Sequence, residues 1–546
     1  MNMPKTIFDA IDPKVYRYVH LCRACQQPSF RISTEVNPCA ACGETHEFEI
    51  FPFYDPSRDY GLDVDEYAIS MMYALYKKGL HRTQVVFDDF YRKAPFVKAS
   101  ADFSGELGGY VAFGGLHQLI DIVEHLYFNE ADIAYLREKK LYDEAFLDEL
   151  RSLRFTGELF AAEEGQLIFP NTPYIRIVST IMECIWIEAQ LLNTVNSESL
   201  LMTKASRILT AADGQSVIEM GKRRAQGRDA SVQGARAAYV AGFDYSSNMK
   251  AGKKYGVPTT GTHAHLFVQF FANELDAFLA FADVFPAKSI LLVDTYDVLG
   301  SGIPNAIRVA KAMEERGQKL TGIRLDSGDL AFLSKRARKM LDNAGLAYVK
   351  IAASSDLDEY TITSLKHQGA KIDIWGIGTK YITAYDTPAL GGVHKIVARK
   401  QENDWLALIK ISENLDKIIN PGLKKTYRLY DQDGMAKGDY LCLASESLEG
   451  LNEITLKHPT NPLKSKRIAN FTAVELLVPI FQNGQMVYNV PTLKQTRAFH
   501  LAQKNTFWEE YLRLDHPEVY PVALSDQLKE LKDRLIQAKR QNIQTE

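Results

Sequence analysis

An α/β fold built on a parallel sheet that curls into a barrel follows from three features of the sequence. Between about residue 215 and residue 380, short apolar runs alternate with helical segments. SVIEMG precedes RDASVQGARAAYVAG, KSILLVDTYD precedes GIPNAIRVAKAMEERG, and LTGIRLDSGD precedes LAFLSKRARKMLDNAG. YVKIAASSD precedes LDEYTITSLKHQG, and IDIWGIGT closes the series. Strands separated by helices of about 10–15 residues form βαβ units and a parallel sheet, and five or more in succession favour a closed or nearly closed barrel. The second feature is that several runs end in polar or acidic residues, as in LLVDTYD, GIRLDSGDL and GIGT. A strand buried on both faces delivers its functional side chains at its C-terminal end. The third is the mixture delivered there, carboxylates, an arginine and a glycine-threonine pair, which describes a mouth shaped for a charged, phosphorylated small molecule.

Composition sets the outer bounds. The chain has 546 residues, 46% apolar and 24% charged, with a formal net charge of -4. Length suggests more than one domain. The charge balance gives no reason to expect bulk attraction to nucleic acid or to a membrane. No apolar stretch approaches the ~20 residues a membrane span needs, and MNMPKTIFDAIDPK lacks the basic-then-apolar order of a signal peptide. A cytoplasmic protein is the expectation.

Taken in order, residues 1–55 form a small region with four of the six cysteines. DVDEYAISMMYALYKK (63–78) repeats its apolar residues at helical spacing. QVVFDDFYRKAPF (84–96) reads as a strand leaving a charged loop, and 108–128 as a glycine turn running into a helix. Two helical pieces, a glutamate-rich turn at 161–165 and the extended QLIFPNTPYIRIVST follow, and 180–210 is helical. After the alternating region, YRLYDQDGMAKGDYLCL reads as a hairpin around Asp-Gly, and LSDQLKELKDRLIQAKR as a C-terminal amphipathic helix. The expected organisation is an N-terminal segment (1–55), an N-terminal α/β domain (56–175), a barrel (176–397) and a C-terminal region packing back on the core (398–546).

GIRLDSGDL places Arg324, Asp326, Ser327 and Asp329 at one strand end. Ser327 or Asp329 could cap the next helix. Arg324 is harder to explain that way, because a guanidinium in an apolar strand needs an anionic partner. A ligand carboxylate or phosphate, held in bidentate fashion, would serve.

The segments EMGKRRAQGRDAS, GFDYSSNMKAGKKYGVPTTGTHAH, LLVDTYD, GIRLDSGDL, KIAASSDLDE, IDIWGIGT and PALGGVHKIVA follow one another as in the nicotinate phosphoribosyltransferases. The likeness runs from about residue 63 to 535. It implies the irregular α/β barrel of the type II phosphoribosyltransferases, and transfer of phosphoribose from phosphoribosyl pyrophosphate to nicotinate. ATP hydrolysis would be coupled through a phosphohistidine and Mg2+ would be required, in a homodimer. Carried over position by position, the resemblance makes His265 the phosphohistidine of the GTxAH motif, with Thr262 at the base. Tyr67, in a D-x-Y-x-x-x-M pattern with Asp65 and Met71, would stack on the nicotinate ring. Arg324 would hold the nicotinate carboxylate, Asp326 the ribose hydroxyls, and Gly376, Gly378 and Thr379 the 5-phosphate. Gly391 and Gly392 would close that cradle, and Arg223 would lie beside a phosphate. Asp294 and Asp297 could steer Mg2+ or the base, or orient arginines.

The resemblance also bears on the base. The related nicotinamide enzyme has a carboxylate where this chain has Ser247, and a serine can donate to a carboxylate that an acid would repel. Two residues depart from the family pattern: Leu266 follows the motif histidine where serine is usual, and His394 replaces the tyrosine of GxYK. The pattern Cys22-x2-Cys25-x13-Cys39-x2-Cys42 has the spacing of a zinc ribbon. A small region like this would draw its stability from a structural Zn2+; the spacing does not separate zinc from iron. The charge around it is mixed, which gives little reason to expect nucleic-acid binding. The isolated Cys184 and Cys442 read as buried, inert thiols.

Overall fold

The computed structural model describes residues 60–97, 107–412, 417–457 and 463–545, with the backbone of three strands before them. Those strands, Tyr18–Cys22, Pro28–Arg31 and Phe48–Pro52, form an antiparallel sheet with Tyr18–Cys22 in the middle. Cys22 ends the central strand, while Cys25, Cys39 and Cys42 lie outside the described residues, and so does the four-cysteine zinc site expected from them.

The chain forms two compact units, one of residues 1–69 and 122–154, the other of 70–121 and 155–546. In the first, helix Glu130–Glu138 opens on a capping box between Asn129 and Asp132. Helix Glu144–Ser152 is capped by Asp143 and buries Phe146, Leu147 and Leu150.

The second unit carries the parallel sheet. Its six strands lie in the order Tyr245–Ser246, Ser216–Glu219, Ile374–Ile377, Lys350–Ala353, Gly322–Leu325, Ile290–Leu292, all parallel. The sheet is open: its edge strands, Tyr245–Ser246 and Ile290–Leu292, are not bonded to each other. The architecture is a curled half-barrel, where alternation alone suggested a nearly closed one. Ile290–Leu292 and Ile374–Ile377 are buried at every position, as apolar runs covered on both faces must be. Helices Ile303–Glu315, Leu330–Asn343 and Glu359–His367 connect the strands, and Val309, Met313, Leu341, Ile362 and Trp375 share one core. Each such side chain contributes about 1.5–3 kcal/mol by leaving water. Two acidic residues after the strands are helix caps: Asp329 accepts from the Phe332 amide (2.9 Å) and Asp358 from that of Thr361 (2.7 Å).

A second sheet is mainly antiparallel and non-local. Its order is Asp404–Ala407, Gly392–Gln401, Gln84–Tyr91, Ile175–Thr180, Glu158–Ala161, Val478–Gln482, Gln485–Met486. A third contains the expected hairpin, Lys424–Tyr430 against Ala436–Leu443, turning at Gly434 with φ +77°. The long helix Ile181–Ala212 is capped by Thr180 and stopped at Asp213 in the left-handed conformation. Among the described residues no helix is long and apolar enough to cross a membrane. Cys184 and Cys442 are both buried and unpaired, and burial holds the Cys184 thiol far above its ordinary range.

Candidate active site at the strand ends of the half-barrel

Parallel register brings the motif residues together. Leu292 pairs with Arg324 and Leu325 with Ala353, so Asp294, Asp326 and Ser354 follow at adjacent strand ends. Ile377 pairs with Glu219, and Glu219 with Ser246, which brings Gly378, Gly221 and Ser247 to the same end of the sheet.

Arg324 is largely buried and, among the described residues, has no carboxylate within hydrogen-bond distance. Nη1 donates to Thr262 Oγ1 (2.5 Å), Nη2 is 3.8 Å from Asp326 Oδ1, and buried Nε has no partner. Burial, the largest influence, lowers its pKa; Asp326 and Asp294 oppose this, and Arg223 adds repulsion. Two guanidiniums near one another at the mouth, one of them under-paired, make a receptor for an anion. Arg223 stands exposed on the turn Lys222–Arg224.

His265 begins the short helix His265–Phe270. Its Nδ1 meets Thr295 Oγ1 at 3.2 Å, which leaves Nε2 facing Asp326 Oδ2 (3.7 Å) and Asp294 Oδ1 (4.0 Å). The side chain remains 41% exposed, so a large co-substrate can reach it. Asp294 is almost wholly buried. Its Oδ2 accepts from the Asp326 amide (3.0 Å) and the Ser327 hydroxyl (2.6 Å), and its Oδ1 has no partner. Asp297, the second acid of that segment, is spent on the backbone: Oδ1 accepts from the amides of Leu299 (3.0 Å) and Gly300 (2.9 Å).

The glycines divide by cause. A Cβ at Gly376 would stand 3.0 Å from Met220 Sδ, and one at Gly221 would stand 2.6 Å from Ile382 Cβ. Gly378 precedes the short helix that Thr379 opens. Gly392 is packed on Asn196 and Tyr174, where a Cβ would stand 2.1 Å from Asn196 Oδ1, whereas Gly391 faces open space. Packing alone therefore accounts for Gly392. Tyr67 lies exposed on the helix Glu66–Lys77, in the other compact unit.

Several supporting residues were not anticipated from the motifs. Ser354 donates to Asp326 Oδ1. Glu219 is fully buried below the mouth, where its carboxylate takes the Ser246 hydroxyl (2.5 Å) and the Gly221 amide; burial raises its pKa. SVIE ending in an acid, as its neighbours do, was the available signal. His263, which fills the variable motif position, is buried among Phe267, Phe278 and Phe281 and accepts the Leu292 amide at 3.2 Å. Burial lowers its pKa to about 4 and keeps it neutral. It fastens the GTHAH loop to the edge strand. The two departures also have places. Leu266 is 72% exposed, and Thr295 supplies the hydroxyl beside His265. His394 is buried, bonded through Nδ1 to Asp89 Oδ1 (2.9 Å) and stacked on Phe87.

Comparison with known proteins identifies the family. Residues 62–196 match the nicotinate phosphoribosyltransferase N-terminal domain and residues 423–532 the C-terminal domain. The chain is 42% identical to a nicotinate phosphoribosyltransferase of Bacillus subtilis over 85% of its own length and 93% of the relative's. It is 33% identical to that of Dictyostelium discoideum, covering 85% and 86%. Among solved structures, human nicotinic acid phosphoribosyltransferase superposes with a TM-score of 0.74 at 28% identity, over 87% of this chain and 99% of the human one. A nicotinate-nucleotide pyrophosphorylase from Pyrococcus furiosus shares the fold (TM-score 0.62, 21% identity, 84% of this chain, 98% of that one). The chain belongs to the nicotinate phosphoribosyltransferase family, enzymes of NAD biosynthesis.

Proposed function

We propose that the strand-end site transfers the phosphoribosyl group of phosphoribosyl pyrophosphate to the ring nitrogen of nicotinate, giving nicotinate mononucleotide and diphosphate. The observation that carries this reading is Arg324: largely buried, bonded to Thr262, under-paired within the chain and repelled by Arg223. A nicotinate carboxylate on Arg324 supplies the missing anion, and a phosphate beside Arg223 relieves the repulsion. Ser247, at the end of the edge strand, presents a neutral donor to an acid where a carboxylate would repel it.

The C1–pyrophosphate bond breaks to leave an oxocarbenium-like ribose. No side chain attacks; the nicotinate nitrogen is the nucleophile, and the residues position it. Asp326, braced by Ser354, takes ribose hydroxyls, and Gly376, Gly378 and Thr379 take the 5-phosphate. Tyr67, supplied by the neighbouring subunit of a homodimer, would stack on the ring. Leu266 (72%) and Phe270 (86%), on the helix that His265 begins, stand in solvent, which supports pairing of two copies. Mg2+ fits the donor set through Asp294, whose Oδ1 lacks a partner, better than through Asp297, whose carboxylate caps amides. When bound, Mg2+ supplies charge that stabilises the departing diphosphate. Thr295 on Nδ1 leaves His265 Nε2 to accept the ATP phosphoryl group, adding about two negative charges at the mouth. The four cysteines Cys22, Cys25, Cys39 and Cys42 would hold a structural Zn2+. The enzyme is cytoplasmic on this reading.

The test is product formation from phosphoribosyl pyrophosphate and Mg2+ with nicotinate and nicotinamide in parallel, with and without ATP. Nicotinate mononucleotide formed faster with ATP is the expected result. Nicotinamide mononucleotide as the main product would overturn the assignment of the base.

A further inference from the structure

A second cluster of ionisable side chains lies in the same compact unit, and no strand of the six-stranded sheet contributes to it. His117 comes from helix Leu116–Glu124, Glu198 from the long helix Ile181–Ala212, Arg236 from helix Arg228–Ala241, and Glu164 from the turn at 161–165. Glu164 is held in place by Arg236 and a backbone amide. Its Oε1 accepts from Arg236 Nη1 (2.7 Å) and the Gly115 amide (2.9 Å), and its Oε2 from Arg236 Nη2 (2.6 Å). Glu198 is different. It is 2% exposed, and neither of its oxygens has a hydrogen-bond partner among the described residues. The side-chain nitrogens that approach it are Arg236 Nη1 at 3.7 Å and His117 Nδ1 at 3.9 Å. Neither ring nitrogen of His117 has a hydrogen-bond partner either, and Nδ1 is 3.5 Å from Glu164 Oε1.

Arg236, His117 and, in the cleft, Lys254 surround the two carboxylates, yet neither Glu198 oxygen is bonded to any of them. A buried carboxylate with no donor is unfavourable, so Glu198 calls for an occupant that its oxygens can hold. The cluster's geometry suits an ion. One donor atom from each of His117, Glu164 and Glu198 lies within 4.8 Å of the others. Donors around a tetrahedral ion with bonds of about 2.0–2.2 Å stand ~3.4 Å apart; His117 Nδ1 is already 3.5 and 3.9 Å from its two carboxylates, and no pair of the three stands beyond 4.8 Å. One imidazole nitrogen with two carboxylate oxygens is a borderline set that takes zinc-class divalent ions in preference to Mg2+ or Ca2+. An open cleft of about 250 Å³, lined by His117, Glu164, Arg236, Tyr255 and Tyr488 among others, gives an entry path and room for a water in the fourth position.

We propose that His117, Glu164 and Glu198 bind one zinc-class divalent cation, with Arg236 holding Glu164 in place from the outer shell. The ion would fasten helix Leu116–Glu124 and the turn at 161–165 to the long helix. It is separate from the four-cysteine site and from the Mg2+ of the reaction.

The test uses the full-length protein with its cysteine site intact. Zinc content after equilibration with Zn2+ and dialysis is measured for the wild type, Glu198→Gln and His117→Ala. The cysteines contribute equally to all three, so the difference isolates this cluster. The wild type should hold one more equivalent than either variant, and added Zn2+ should raise the wild-type melting temperature more than theirs. Glu198→Gln keeps the side chain's size; if it does not fold, His117→Asn makes the same comparison. Equal zinc content in all forms would overturn the proposal. So would a Glu198→Gln protein more stable than the wild type with unchanged zinc, since a proton would then be the occupant.

Discussion

Arg324 and Arg428 are both buried guanidiniums, and they are treated in opposite ways. Arg428, in the hairpin strand Lys424–Tyr430, donates Nε and Nη2 to Asp439 at 2.8 and 2.9 Å and lies among the rings of Phe169, Phe507 and Tyr520. Although burial opposes it, Asp439 raises its pKa above the ordinary value. Arg324 sits at a strand end, bonded to a neutral hydroxyl with Asp326 standing off at 3.8 Å, and burial lowers its pKa. One nitrogen of each, Nη1 of Arg428 and Nε of Arg324, has no partner among the described residues, so the difference is the carboxylate: a buried charge bonded to one from within holds the fold together, and one without it waits for a ligand. Asp88, answered by Arg176 (2.8 Å) and Lys424 (2.8 Å), belongs with Arg428. Asp294, with an unpartnered Oδ1, belongs with Arg324.

The contrast can be broken at either end. Arg428→Met leaves Asp439 buried without its partner and should cost about 3–5 kcal/mol of stability, read by denaturant unfolding, with no specific change in KM for protein that still folds. A full-length protein as stable as the wild type would remove the structural half of the comparison.

Acid should expose another internally completed group. His500 is buried between the Gly165 carbonyl (2.9 Å) and Ser206 Oγ (3.2 Å). Burial lowers its pKa to about 4. The unfolded chain therefore binds a proton that the folded chain refuses. Stability from this group is complete above pH ~6.5 and is lost as pH falls from there towards about 4, by up to ~3 kcal/mol. His500→Gln should flatten that part of the stability curve, and an unchanged slope would contradict the assignment.

Smaller effects belong to the mouth. His265→Asn should abolish the stimulation by ATP and leave ATP-independent turnover, measured with nicotinate in both conditions; persistent stimulation would remove the phosphohistidine. Ser354→Ala removes one support of Asp326 and should cost about 1 kcal/mol, or roughly fivefold in kcat/KM, with little change in melting temperature.

The parallel sheet was legible because its signal is local: each buried strand is a short apolar run, and each crossover a helix beside it. The half-barrel's opening and the seven-stranded sheet were not, because Gln84–Tyr91 finds its partner in Gly392–Gln401, some 300 residues away, and pairing at that range leaves no local pattern. The same reason hid His394. Its partner Asp89 sits directly opposite on that neighbouring strand, so the residue that looked out of place is half of a cross-strand pair. Arg324 and His265 could be found by motif and by the oddity of a charge in an apolar run. Ser354, Thr295 and Glu219 could not be ranked, since their roles depend on which strand ends lie side by side.

Arg324→Gln tests the account most directly. The variant keeps the side chain's length and a donor but removes the charge that the chain leaves under-paired. The account predicts a fall of ~30-fold or more in kcat/KM for nicotinate, with the melting temperature close to that of the wild type. A variant that turns over nicotinate normally, or one that fails to fold as Arg428→Met should, would contradict the claim that this arginine is completed by its ligand.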